Sequence, residues 1–161
     1  MNAILWPLTL LACVAIQWLF SFWTGLGATP QMALVATVGV AVLRGPAAGE
    51  TFGFIAGLLI DALGSHLFGA NALVLTVIGY GVGLLRRQMD ASQPAPQMVV
   101  VALLSWVYFA LIGLLGMVFA GHFLGRPFQG LVLAPLYNVV VTPFLFYWLQ
   151  RFRVKEHPTA L

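Results

Sequence analysis

Asp61 and His66 stand five residues apart, a carboxylate and an imidazole near enough in sequence to suggest proton transfer. The chemistry goes no further. No serine elbow, metal-ligand spacing or second carboxylate accompanies the pair, so the third group that orients a working base is missing. Thr76-Val77-Ile78-Gly79-Tyr80-Gly81 approaches a potassium-filter sequence, but Ile78 interrupts it, and a filter needs a re-entrant loop whose carbonyls face a pore. This string lies inside a continuous apolar run, where Gly79 and Gly83 read as packing residues. Asn138 and Thr142 are one helical turn apart between Pro135 and Pro143, and Gln17 and Ser21 share that spacing near the N-terminus. Both pairs suit hydrogen bonding between helices, and His66, Asn71, Asn138 and Thr142 are the candidates for lining a polar cavity. No catalytic residue, cofactor or metal site is expected. Asp61 is expected to receive donors of the turn that follows it. On that reading Asp61→Asn is mild, whereas Asp61→Leu strands the donors.

The elements that position these groups announce themselves through small residues. Gly49, Gly53, Gly57 and Asp61 recur every four residues and therefore share one helix face. Two overlapping Gly-x-x-x-Gly motifs on that face allow a second backbone to approach closely, either within the chain or from a partner. Ala72, Thr76, Gly79 and Gly83 form a matching small face, so the two segments are expected to pack as an antiparallel hairpin. Gly49, Gly53, Gly57, Asp61, Gly79 and Gly83 are thus the candidates for helix packing or partner binding.

The chain has 161 residues, 61% hydrophobic and 7% charged, against roughly 25% charged in an average soluble domain. A soluble core cannot absorb that much apolar surface. Cys13 is the only cysteine, so neither an internal disulfide nor a thiolate metal cluster can form, and it reads as packing. The net charge of +3 comes from only seven basic residues, placed at segment edges rather than in a patch suited to nucleic acid.

Runs of about 20 apolar residues read as spanning helices, since a backbone in hydrocarbon must satisfy itself. Six spans are expected in one all-α membrane domain, at residues 3–23, 30–43, 47–63, 67–85, 98–121 and 131–150. The first ends in the interfacial aromatics Trp18, Phe20, Phe22 and Trp23. The apolar run of the second, residues 32–43, is short for about 30 Å of hydrocarbon, so it must borrow flanking residues or sit behind other helices. Arg44-Gly45-Pro46 stops it, and the polar stretch RRQMDASQPAPQ separates the fourth span from the fifth. Within the sixth, Pro135 and Pro143 free carbonyls that neighbouring helices or water must satisfy, and a kink is expected. With the N-terminus inside, Arg44, Arg86, Arg87, Arg151, Arg153 and Lys155 are cytoplasmic and Arg126 alone is outside, which places both termini in the cytoplasm. A cleaved signal peptide is disfavoured, because no Lys or Arg precedes Arg44. His122 and His157 fall outside the spans and read as surface residues.

The stretch FGFIAGLLIDALGSHLFGANALVLTVIGYGVGLLRRQMD, residues 52–90, strongly resembles the bacterial rod shape-determining protein MreD family. The likeness includes the glycine face, Leu59-Ile60-Asp61, Phe68-Gly69, Asn71-Ala72-Leu73 and the pair Arg86-Arg87. The turn departs from the family, reading Gly64-Ser65-His66 where members often have serine then glycine. The resemblance implies a non-enzymatic subunit of the inner-membrane elongation machinery. Such a subunit works beside the bitopic protein MreC, near the wall synthase and its transpeptidase partner, in lateral peptidoglycan synthesis and rod shape. It also implies a bundle similar to the substrate-binding subunits of energy-coupling-factor transporters, which supplies the rival reading of a vitamin-type transporter subunit. That rival requires an outward pocket with several convergent polar groups.

Overall fold

The computed structural model describes residues 5–24, 29–64, 67–86, 94–122 and 128–151. Over them the chain forms six helices: α1 (Leu5–Thr24), α2 (Met32–Arg44), α3 (Pro46–Leu63), α4 (Ala70–Leu85), α5 (Pro94–Phe119) and α6 (Phe128–Arg151). Three stretches are long and apolar enough to cross a membrane: Pro46–Leu63, Pro96–Phe119 and Gly130–Gln150. The apolar stretches Leu8–Trp23, Met32–Arg44 and Ala70–Leu85 are shorter.

The shortest helix is the centre of the molecule. At 13 residues α2 rises only about 20 Å, well under the bilayer core of about 30 Å. Every residue from Ala33 to Val42 is buried, and α2 touches all five other helices. Between Ala33 and Val42 its side chains are apolar except Thr37, and almost none of their surface lies outside the bundle. Of the two solutions open to a short span, this one sits behind its neighbours.

Between α2 and α3 the chain reverses at Gly45, whose φ of 98° and ψ of −174° lie in a region that residues with a Cβ avoid. Pro46 then opens α3, where the N–H it lacks would have had no helical partner. The turn is tightly enclosed: a Cβ on Gly83 would lie 2.3 Å from Pro46 Cα, and one on Gly45 would lie 2.8 Å from an Arg86 guanidinium nitrogen.

Three helix starts differ by three or four residues from the sequence expectation, the sixth helix beginning at Phe128 rather than at 131. The fourth helix starts at Ala70 rather than at 67, because Ala70 N–H bonds back to Leu67 O in a turn that Gly69 closes at φ 92°. The fifth starts at Pro94, inside the stretch read as a polar loop. Prolines are tolerated in a first turn, and Gln97 is buried there.

α6 runs through both of its prolines. Pro135 cannot donate to Leu131 O, and the indole N–H of Trp106 on α5 takes that carbonyl instead at 3.2 Å. Replacing Trp106 with Phe removes the donor and keeps most of the ring. The expected loss is about 1 kcal/mol, read as a lower midpoint when the purified protein is unfolded in mixed micelles.

The exterior reverses that of a soluble protein. Leu19, Phe22, Trp23, Phe119, Phe144 and Trp148 are among the large side chains exposed on it, while the interior holds Gln31, Thr37, Asp61, Gln97, Ser105, Asn138 and Thr142. Cys13 is a buried member of the apolar core.

Candidate functional site

Two helices, α2 and α4, begin at the end of the bundle where α3 finishes. Each start leaves backbone N–H groups with no intrahelical acceptor, and inside a membrane protein other parts of the chain must supply one. Four of the polar residues singled out by the sequence, Gln17, Asp61, Asn71 and Asn138, gather at these two starts.

At α4 the residue preceding the helix is Gly69, which has no side chain to serve as a cap. Asp61 of α3 serves instead. Its Oδ2 accepts from Gly69 N–H and Ala72 N–H, both at 3.0 Å, and its Oδ1 accepts from Asn71 N–H at 3.2 Å and from the Asn71 amide at 2.7 Å. The carboxylate is 6% exposed. It is favourably placed at the positive end of the α4 dipole, and four donors share the cost of its burial. Tyr108 of α5 then donates its hydroxyl to Asn71 Oδ1.

At α2 the helpers come from α1 and α6. Asn138 Oδ1 accepts from Gln31 N–H at 2.7 Å, and Gln17 Oε1 accepts from Ala33 N–H at 3.3 Å. Asn138 donates its amide to Ser105 Oγ at 2.8 Å and to Gln31 Oε1 at 3.3 Å, and Ser105 donates to Val101 O. Ser105 and Tyr108 lie three residues apart on one face of α5, so this helix joins the two groups into one belt. Gln17, Gln31, Asp61, Asn71, Ser105 with Tyr108, and Asn138 together give it a member from α1, from the entry to α2, and from each of α3 to α6. Among the described residues Gln31 Nε2 is the one buried side-chain polar atom without a partner.

Thr142 is buried beside Asn138 but donates to Asn138 O in its own helix at 2.6 Å. Ser21, expected to face inward with Gln17, is exposed. His66 lies outside the described residues. His122 is exposed, with Nδ1 2.9 Å from Ala120 O. Gln31, Ser105 and Tyr108 were not singled out by the sequence; the available signal was one polar group inside or against each apolar run.

The glycines form a seam rather than a pocket. A Cβ built on Gly49 would lie 2.6 Å from Gly79 O, on Gly53 2.4 Å from Leu75 O, and on Gly57 2.3 Å from Ala72 Cα. Gly79 is equally close to Gly49 O, and the Thr37 methyl of α2 reaches into the same seam. α3 and α4 therefore meet backbone to backbone, with α2 wedged against both. Residues 76–81, the filter-like string, lie within the continuous helix α4.

An all-helical bundle with an apolar outside, three membrane-length helices and polar groups turned inward is a membrane protein. The model of the family described as rod shape-determining protein MreD matches residues 1–152, and the chain belongs to that family. No curated protein and no solved structure matches it. The expected likeness to energy-coupling-factor transporter subunits therefore has no structural match behind it.

Proposed function

We propose that this protein is a non-enzymatic subunit of the bacterial cell-elongation complex in the inner membrane, where it binds MreC and supports lateral peptidoglycan synthesis and rod shape. The wall synthase and its transpeptidase are the further partners. The family match over residues 1–152 carries this reading. The belt supports it, because Asp61, Asn71, Asn138 and Thr142 spend their hydrogen bonds on neighbouring parts of the same chain. A vitamin-type transporter subunit would instead aim such groups at a ligand.

In the proposed topology all six helices cross the membrane and both termini are cytoplasmic. Arg44, which precedes Gly45, and Arg86, whose guanidinium lies against Gly45, are then on the cytoplasmic side. Reporter fusions after Arg87 and at the C-terminus are expected to give cytoplasmic signals at both sites. A periplasmic signal at either would remove the topology.

Affinity capture from detergent extracts tests the function itself. A single-span partner with a large periplasmic domain is the expected catch. Recovery of a pair of ATPases in its place would favour the transporter reading.

A further inference from the structure

A cleft of about 510 Å³ runs between α1 and α3. Val40 and Arg44 of α2 form its floor, Leu10 and Leu11 one wall, and the α3 face containing Ile55 and Leu59 the other. Thr51 also lines it but spends its hydroxyl proton on Ala47 O at 2.7 Å. Every remaining lining residue except Arg44 is apolar. Glu50, the one acid in the first half of α3, is not part of the lining. The cleft is thus a hydrocarbon trough with one cationic end.

Its dimensions match a lipid tail. From Ala48 to Leu59 the α3 wall covers eleven residue steps, about 16 Å, close to half of the bilayer core of about 30 Å and so to the depth of one leaflet. Arg44 closes α2 at the end of the trough where the Arg86 guanidinium covers Gly45, so two cations bracket the turn. A guanidinium carries five N–H donors in a fork suited to phosphate. Basic pockets between membrane helices hold anionic headgroups by the same means.

We propose that the cleft between α1 and α3 binds an anionic phospholipid, with one acyl chain along the apolar walls and the headgroup phosphate on Arg44.

The test uses the full chain in nanodiscs holding equal amounts of phosphatidylglycerol and phosphatidylcholine, each with a photoactivatable acyl chain. Native mass spectrometry of the released protein and mapping of the crosslinks are the two readouts. The wild-type chain is expected to retain phosphatidylglycerol preferentially and to crosslink at Leu10, Leu11, Ile55 and Leu59. Arg44→Gln should reduce the preference about fivefold while crosslinks to both lipids persist. Thr51→Phe, a filling substitution at an exposed position, should remove the cleft crosslinks for both lipids, and helical content reports whether each variant is folded. Equal retention of the two lipids by the folded wild-type chain would overturn the proposal. So would crosslinks spread evenly over all lipid-facing helices, or a co-purifying protein helix that protects the cleft.

Discussion

Asp61→Asn is expected to destabilise the protein by about 3 kcal/mol, because two of the four hydrogen bonds at this carboxylate are lost whichever way the amide is turned. Each Asp61 oxygen holds two donors. An amide keeps one acceptor oxygen and points an NH₂ at the other pair, setting donor against donor. The mild outcome expected from sequence assumed a carboxylate meeting a turn at the interface. A buried site with four donors reverses it. Asp61→Leu should be worse, stranding three backbone N–H groups at the start of α4, and is expected to leave little folded protein. Unfolding in mixed micelles and steady-state levels in cells read both effects. An Asn variant within about 0.5 kcal/mol of the wild type would show that the donors do not need both oxygens.

Gly57→Ala should rank beside it, and the contrast with Gly81→Ala is the decisive comparison. A methyl on Gly57 would meet Ala72 Cα at 2.3 Å and Ala72 N at 2.4 Å. These are backbone atoms that cannot swing aside, so α3 and α4 must separate. The separation breaks contacts along the whole seam and moves Asp61 away from the donors it caps. A cost of at least 1–3 kcal/mol follows from overpacking alone, against a helix-propensity gain of about 1 kcal/mol. Gly53→Leu and Gly57→Leu should prevent assembly of the hairpin. Gly81, also within α4, has nothing within 4 Å of its would-be Cβ, so Gly81→Ala should be neutral or stabilising by up to about 1 kcal/mol. Equal tolerance of Ala at 57 and 81 would mean that the seam does not hold the helices at this distance.

The seam was readable because it is periodic: Gly49, Gly53 and Gly57 recur at four, and the answering face on α4 includes Gly79 and Ala72, which meet Gly49 and Gly57, though Gly53 meets the backbone of Leu75 instead. Asp61 was readable as a carboxylate in an apolar run, and Asn71 as its neighbour. Its other donors were not, since they are backbone N–H groups of Gly69, Asn71 and Ala72 and leave no trace in residue type. Gln31 was not singled out, because nothing local reveals that its N–H meets Asn138, 107 positions away. Trp106 shows the same gap. Pro135 announces a freed carbonyl, but which side chain finds it depends on how α5 and α6 lie together. The central place of α2 was half visible: its length left it either to borrow flanking residues or to sit behind other helices, while the choice between them and the identity of its neighbours required the packed bundle.

That central place sets an order of events during synthesis. A segment of 13 residues, too short to span the hydrocarbon alone, has no stable position in lipid by itself. The groups that hold it come mostly from helices translated afterwards: the glycine seam of α3 and α4, Ser105 on α5, and Asn138 on α6. Until α6 arrives, the Gln31 backbone N–H lacks the acceptor it has in the finished fold. The nascent chain therefore carries its future centre as an unfinished piece, and loss of α6 should make the protein a substrate for membrane quality control rather than a shortened but functional form.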